Sequence, residues 1–407
     1  MLQFPMVRWA ALFWGLVALF PIGLNYTAFV LLAAAMLLQR DTGERLARLR
    51  RSPNWWPACL FVGWTLLVLL FGPRYPETLS NALHALRIVV TLALALALTR
   101  DEAVWALRGL VLGLIACLAV VALDASIGLP FSQLWNSIVH YDGNKSVANA
   151  ALLALAAVSG LLLLPILRPR QRLVALLLSA GALCALMFVL YSRTAWLIVL
   201  VGMTAGLVHQ LRAQRQRQLV ALAAATTLAL VAGLGVPGVK ERLELGGHEI
   251  VSAYQGKPVD PTSSWGIRFR MYDETVAMVR EKPLAGWGIG SWNTQWKLRV
   301  QGPLAEANMP HNDFLWMGAQ AGVPGALLLL LLVSAGLPSA WRRHDMSGRL
   351  GVVALLTMLI AASSNSALRD AAIGLCLWFI VLVFQRLSTE PESVWQQIIP
   401  GRAQPGG

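Results

Sequence analysis

Long apolar stretches separated by short polar breaks follow one another along most of the chain. A hydrocarbon core about 30 Å thick needs about 20 apolar residues per spanning helix, and about twelve stretches meet that requirement. Two share the block from Trp9 to Leu38, which Pro21, Gly23 and Asn25 divide, and the others run roughly 55–73, 80–99, 103–123, 147–167, 172–191, 194–211, 218–236, 323–341, 350–365 and 371–386. This pattern predicts an all-α polytopic membrane protein with about twelve transmembrane helices.

The composition and charge sharpen this prediction. Hydrophobic residues make up 57% of the chain and charged residues only 13%, whereas soluble domains carry about 25% charged residues. Of the basic residues, 19 fall with 7 acidic ones on one set of alternate loops, and 14 fall with 13 acidic ones on the other set. Cytoplasmic loops carry the excess of Lys and Arg. We therefore predict that both termini are cytoplasmic and that the net charge of +13 reports orientation and not a nucleic-acid partner.

One connection is much longer than the rest. Residues 237–310 form a polar loop that the charge count places on the outer, periplasmic face. The predicted organisation is nine spans in residues 1–236, this loop, three spans in residues 311–387, and a cytoplasmic tail in residues 388–407. A loop of this length is usually functional or disordered, and its many aromatic residues argue against disorder.

Part of the long loop has a helical pattern. From Arg268 to Glu281, the residues Phe269, Tyr272, Val276 and Val279 recur at spacings of three and four, and Pro283 follows as a stop signal. Such a helix would either lie on the membrane surface or contribute to a site. The Trp-rich stretch 286–292 comes next, and its indoles would either anchor at lipid headgroups or stack on sugar rings.

His311 lies where the long loop ends and the next helix begins. Pro310 cannot sit inside a helix, and Asn312 or Asp313 is a good N-cap, so His311 is expected at the mouth of a helix. The helix dipole disfavours protonation at that position. A neutral imidazole at the rim of the membrane is a suitable general base.

Several cations lie within or beside the outer ends of the spans, where ionisable groups are costly and are functional candidates. They are Arg193 in a short turn between two spans, Arg87 with His84 nearby, Lys145, and Arg369 followed by Asp370. Snorkelling or contact with lipid phosphates is the alternative for each of these, and it is weakest for Arg193. No motif for a metal site, a nucleotide phosphate loop or a serine hydrolase is present. If a diphosphate is bound, Arg must therefore carry its charge, through bidentate hydrogen bonds.

The order of these residues resembles a known family. Arg193 in its outer turn is followed by Arg268, by the run Lys282-Pro283-Leu284-Ala285-Gly286-Trp287-Gly288-Ile289-Gly290, and by Pro310-His311-Asn312. Over residues 190–320 the chain is similar to the O-antigen ligase and O-antigen polymerase superfamily, and most closely to the O-antigen ligases of lipopolysaccharide assembly. The resemblance implies a GT-C-like, inverting glycosyltransferase of the bacterial inner membrane that uses neither metal nor cofactor.

The resemblance also implies substrates and residue roles. The donor would be O-antigen linked to undecaprenyl diphosphate, and the acceptor would be the lipid A core oligosaccharide. Membrane lipids would surround the protein, and the reaction would take place on the periplasmic side. By this resemblance Arg193 and Arg268 would hold the diphosphate and His311 would deprotonate the acceptor hydroxyl. Arg270 could replace Arg268 in that role. Further substrate contacts are expected from Arg87, Lys145 and Asn312, while Asp370 would orient His311.

Other functions remain open at this level. An O-antigen polymerase or a protein O-oligosaccharyltransferase would use the same donor with another acceptor, and the sequence separates these activities poorly. A transporter of lipid-linked glycans is less favoured, because transporters are commonly built from internal repeats. The long loop has no counterpart in the first half of this chain.

Overall fold

The computed structural model describes residues 5–141, 143–212 and 264–399, together with residue 251. Every regular element within these ranges is a helix. The α-helices are α1 (Met6–Val17), α2 (Ile22–Leu37), α3 (Thr42–Arg50), α4 (Trp55–Phe71), α5 (Thr78–Ala97), α6 (Arg100–Ile127), α7 (Asn136–Val139), α8 (Gly143–Leu163), α9 (Pro169–Phe188), α10 (Arg193–Leu211), α11 (Ser264–Glu281), α12 (Ser291–Arg299), α13 (Asp313–Ser334), α14 (Leu337–Arg342), α15 (Met346–Asn365) and α16 (Ala371–Leu387). Two short 3-10 helices, Pro303–Glu306 and Glu392–Gln397, complete the described part.

The helices fit a multi-pass membrane protein. Seven candidates in the described residues are long and apolar enough to cross a membrane, and the pair α2 and α3, bent by 111°, would make an eighth. Helices α1, α4 and α16 are apolar but shorter. The predicted span at 218–236 lies outside the described residues, so the total of about twelve stays a prediction.

Helices α8, α15 and α16 form the centre of the bundle. Helix α16 is buried along almost its whole length from Ile373 to Leu387, and it is apolar on every face, as expected of a helix surrounded by others. The ring of Trp14 in α1 stacks on Phe379 in α16, with centroids 3.8 Å apart. The candidate site lies at one set of ends of these central helices.

The two ends of the bundle differ in chemistry. At one end, which we call the arginine-rich end, many arginines hold neighbouring helix ends together. Arg45 donates to both carboxylate oxygens of Glu102 at 2.7 and 2.8 Å, and Arg386 donates to the carbonyl oxygen of Leu98 at 2.9 Å. The opposite end, which we call the site end, includes the starts of α8, α10, α13 and α16 and the end of α15.

Helix α13 is interrupted near its middle, which the sequence pattern does not predict. Ala321 and Gly322 have non-helical backbone angles, and Pro324 follows them. The loop after α11 fills the break: the N–H of Val323 donates to the carbonyl oxygen of Pro283 at 2.7 Å, and the N–H of Trp287 donates to that of Ala319 at 2.8 Å. Backbone groups freed by the break therefore find partners in the glycine-rich loop.

The described part of the long loop is a packed unit. Helix α11 confirms the predicted helix, but its most buried residues are Met271, Thr275 and Met278 and not the predicted apolar stripe. Trp292 and Trp296 are buried and stacked 5.1 Å apart, and the indole N–H of Trp292 donates to Thr275 Oγ1 at 3.0 Å. These two indoles are core residues, so they neither anchor at headgroups nor stack on sugars.

The break in α13 yields a stability prediction. Gly322 has φ +71, and a Cβ there would lie 2.2 Å from the carbonyl oxygen of Leu284. Gly322→Ala adds a clash to an unfavourable backbone, so we expect a loss of about 2–5 kcal/mol, measured by thermal unfolding in detergent. Gly302→Ala is the matched control, because Gly302 has φ +76 with no atom near the added Cβ. An equal loss of stability in both variants would contradict a clash between the added Cβ and the carbonyl oxygen of Leu284.

Candidate functional site

His311 occupies the turn that leads into α13. Its φ of +54 is left-handed, a conformation that is uncommon outside glycine and that marks many functional sites. The next residue, Asn312, holds the turn in place: its Oδ1 accepts the N–H groups of Phe314 and Leu315 at 3.0 Å each, and its Nδ2 donates to the carbonyl oxygen of Ser363 at 3.1 Å. Asn312 is therefore the N-cap, one of the two candidates that the sequence offers, and these bonds occupy its amide.

The His311 imidazole is half-buried and has no hydrogen-bond partner among the described residues. Burial lowers its pKa from 6.5 to about 4; the charge of Arg268 and, more weakly, that of Arg369 act in the same direction, while Asp370 opposes them. The ring is consequently neutral at pH 7. The hydroxyl of Tyr272 donates to the His311 carbonyl oxygen at 3.3 Å and helps to fix the turn.

Arg268 and the start of α10 are brought together by Asn365 at the end of α15. The Asn365 Oδ1 lies 3.4 Å from Arg268 Nη2, and its Nδ2 donates to Thr194 Oγ1 at 2.9 Å. Thr194 directly follows the exposed Arg193 in the first turn of α10. The two segments that carry the predicted diphosphate ligands therefore meet at one helix end.

Arg270 is placed differently from Arg268. It pairs with Glu274 one turn later in α11 at 2.8 Å, and more than half of its side chain is exposed. Its guanidinium is therefore engaged along its own helix, while Arg268 reaches Asn365 and acts electrostatically on His311. The geometry favours Arg268 over Arg270 for contact with a ligand at this end.

Arg87 and Asp313 hold the turn between α15 and α16 from two sides. Arg87 Nη2 donates to the carbonyl oxygens of Leu368 and Arg369 at 2.9 and 2.7 Å. The fully buried Asp313 carboxylate accepts the N–H groups of the same two residues at 2.7 and 2.9 Å. In this structure Arg87 thus positions the turn between α15 and α16. The sequence pattern does not predict this role, because Arg87 is about 280 residues away from the turn.

Asp370 and Lys145 also make structural contacts. The Asp370 Oδ1 caps α16 by accepting the Ala372 N–H at 2.7 Å, and its Oδ2 accepts from Asn144 Nδ2 at 2.6 Å. Among the described residues it makes no hydrogen bond to His311, so its influence on the imidazole is electrostatic. Lys145 Nζ donates to the carbonyl oxygen of Ala18 and lies 3.4 Å from Cys376 Sγ inside the bundle.

The structure adds residues that the sequence pattern does not single out. Asn365 and Thr194 connect Arg268 to α10. Arg369, already a candidate from the sequence, lowers the pKa of His311 through its charge. Asn365 and Thr194 carry no charge and match no motif, so only their contacts reveal them. Arg369 is visible in the sequence only as one of several rim cations.

The assembled site is a neutral imidazole under the positive charge of Arg268 and Arg369. Within the described ranges, no group of three or more His, Cys, Asp or Glu side chains could hold a metal ion. Arginines held in place by helix ends can stabilise negative charge that develops on a leaving group, and a neutral imidazole can accept a proton. The arrangement suits transfer of a group away from an anionic carrier.

Comparison with known proteins gives a match over part of the chain. No curated protein matches the chain. Residues 182–330, which include Arg193, Arg268 and His311, match the family model described as O-antigen ligase.

Proposed function

We propose that the protein is an O-antigen ligase that transfers a polysaccharide from undecaprenyl diphosphate to a sugar hydroxyl of the lipid A core. The observation that carries the proposal is the position of His311: an imidazole without a described hydrogen-bond partner, at a helix mouth, under the influence of Arg268 and Arg369. The family match covers His311 and Arg268. Arg193 and Arg268 would bind the diphosphate, and His311 would act as the base.

The proposed orientation follows from charge. The arginine-rich end would face the cytoplasm of a bacterium, because Lys and Arg are retained on that side of the inner membrane. The site end then faces the periplasm, where both lipid-linked substrates would present their sugars. Both chain termini would be cytoplasmic, and the outer ends of the helices with the long loop would form the site.

The proposed reaction is a single displacement. The acceptor hydroxyl oxygen attacks the anomeric carbon of the donor while the bond from that carbon to the phosphate oxygen breaks. The electron pair of this bond leaves on undecaprenyl diphosphate, whose growing charge Arg193 and Arg268 would stabilise by bidentate hydrogen bonds. The hydroxyl proton passes to the His311 imidazole and later to water. Configuration at the anomeric carbon is inverted, and no step needs a metal.

Charge coupling would make His311 a better base once the donor is bound. A base is most effective when its pKa is near the working pH. In the free protein burial and the nearby arginines lower the pKa of His311 to about 4. An anionic diphosphate on Arg268 would offset part of that positive charge and raise the pKa of the ring. Proton abstraction would then be favoured in the complex that can react.

The experiment that tests this function compares acceptors. Purified protein in detergent is given labelled undecaprenyl diphosphate glycan together with lipid A core, with a second lipid-linked glycan, or with a protein acceptor. We expect product with lipid A core. Product with only the second glycan would indicate a polymerase, and product with only the protein would indicate a protein O-oligosaccharyltransferase. Absence of product with all three acceptors would contradict a transferase function.

A further inference from the structure

Arg369 is a cation at the site end that the proposed donor contacts do not use. It lies in the turn between α15 and α16 and is partly exposed. Its Nε is buried without a hydrogen-bond partner, and within the described residues its guanidinium makes no ion pair. A buried N–H group left without a partner is costly and calls for an explanation, of which a missing ligand is one.

The acids around Arg369 do not neutralise it by contact. Asp313 uses both carboxylate oxygens on backbone N–H groups, and Asp370 uses its oxygens on the α16 cap and on Asn144. Glu77 acts on Arg369 electrostatically, but its buried Oε2 is also without a hydrogen-bond partner in the part of the chain described. Within the described residues, the N–H donors of the Arg369 guanidinium therefore remain available to bind a ligand.

The backbone of Arg369 is held rigidly. Asp313 accepts its N–H, and Arg87 donates to its carbonyl oxygen. The N–H and the carbonyl oxygen of the preceding residue, Leu368, are bound by the same two side chains. A cation on a fixed backbone loses less conformational freedom when it binds an anion than one on a mobile loop does. Through Asp313, which lies two residues after His311, the turn that carries Arg369 is fixed to the start of α13.

Arg369 acts on the charge of His311 from a different element than Arg268 does. Arg268 extends from α11 toward the end of α15, whereas Arg369 comes from the turn before α16. The His311 base must receive the proton of the acceptor hydroxyl, so part of the acceptor must lie near this turn. We propose that Arg369 binds an oxyanion of the acceptor, a phosphate or a carboxylate, and so holds the acceptor hydroxyl at His311. The identity of the acceptor rests on the proposed function.

The test measures steady-state transfer by Arg369→Gln and Arg369→Lys with three forms of lipid A core: intact, stripped of phosphate, and with carboxyl groups reduced. With intact acceptor, we expect the Gln variant to raise the acceptor KM about 10- to 100-fold, the range typical of a hydrogen bond to a charged group. The Lys variant should raise it less. The KM for the donor should not change.

The acceptor forms separate the two sources of the anion. Wild type and Arg369→Gln should have the same acceptor KM with whichever modified acceptor lacks the bound group, phosphate or carboxylate. Arg74→Gln serves as the control, because Arg74 is an exposed arginine of the loop before α5 at the same end. It should behave as wild type with all three acceptors.

The contradicting outcomes are distinct. A KM defect that persists with both modified acceptors would mean a structural role for Arg369, and a raised donor KM would place it on the diphosphate. An unchanged acceptor KM in an active Arg369→Gln protein would overturn this inference and leave the proposed function intact. Failure of the wild type to transfer to lipid A core would instead overturn the proposed function.

Discussion

Replacing His311 with Asn is expected to lower kcat for polysaccharide transfer about 10²- to 10⁴-fold, the contribution typical of a general base. Asn tolerates the left-handed backbone that His311 adopts, so the turn into α13 should keep its shape. Transfer of labelled glycan to lipid A core measures the loss. His311→Ala, which cannot accept a proton either, should lose as much activity and more thermal stability.

The insertion and folding of these variants are checked by their amount in the membrane and their melting temperature in detergent. A folded His311→Asn protein that transfers glycan at the wild-type rate would overturn the assignment of His311 as the base.

The pH dependence tests the same assignment independently. Because burial and then Arg268 lower the pKa of His311 to about 4, the base form is lost only as the pH falls through about 4. The kcat/KM for the donor, which reports the free enzyme, should therefore keep its acid limb well below the ordinary value of 6.5. The acid limb of kcat should lie higher, because bound diphosphate offsets the charge of Arg268. Removing that charge in Arg268→Gln should raise the pKa of His311 and so move the acid limb of kcat/KM to higher pH.

Replacing Arg268 with Lys is expected to lower kcat/KM for the donor about 10²- to 10³-fold, the loss seen when one donor to a developing oxyanion is removed. Lys keeps the charge but loses the planar fork that binds two phosphate oxygens at once. Arg193→Lys should show a similar loss. The double variant should lose less than the product of the two effects, because both groups would act on one diphosphate.

Two variants on the same helix serve as comparisons for Arg268→Lys. Arg280→Lys changes an exposed arginine at the far end of α11 and should behave as wild type. Arg270→Lys should lose much less than Arg268→Lys, because Arg270 pairs with Glu274. A larger loss in Arg270→Lys would assign the diphosphate contact to Arg270 instead. Wild-type rates in both Arg193→Lys and Arg268→Lys would contradict diphosphate binding by arginine.

The hydrophobic pattern by itself determined the helical membrane class of this protein. Backbone groups in a bilayer must bond within their own helix, so apolar length predicts helices directly. Helix α11 and the Asn312 cap were also predictable, since both depend on residues close in sequence. The order of Arg193, Arg268 and His311 was enough to suggest the O-antigen ligase family, whose model matches residues 182–330.

Only the tertiary structure decided how these residues are used. Arg87 and Asp313 hold the turn at Leu368 and Arg369 across long sequence separations, and the break in α13 exists because a glycine-rich loop bonds to it. The difference between Arg268 and Arg270 arises from which helix face meets Asn365. Such contacts depend on how helix ends come together in space, and no local periodicity encodes that. The sequence supplies the cations and the base, and the packing of the helix ends determines which of them can face a substrate.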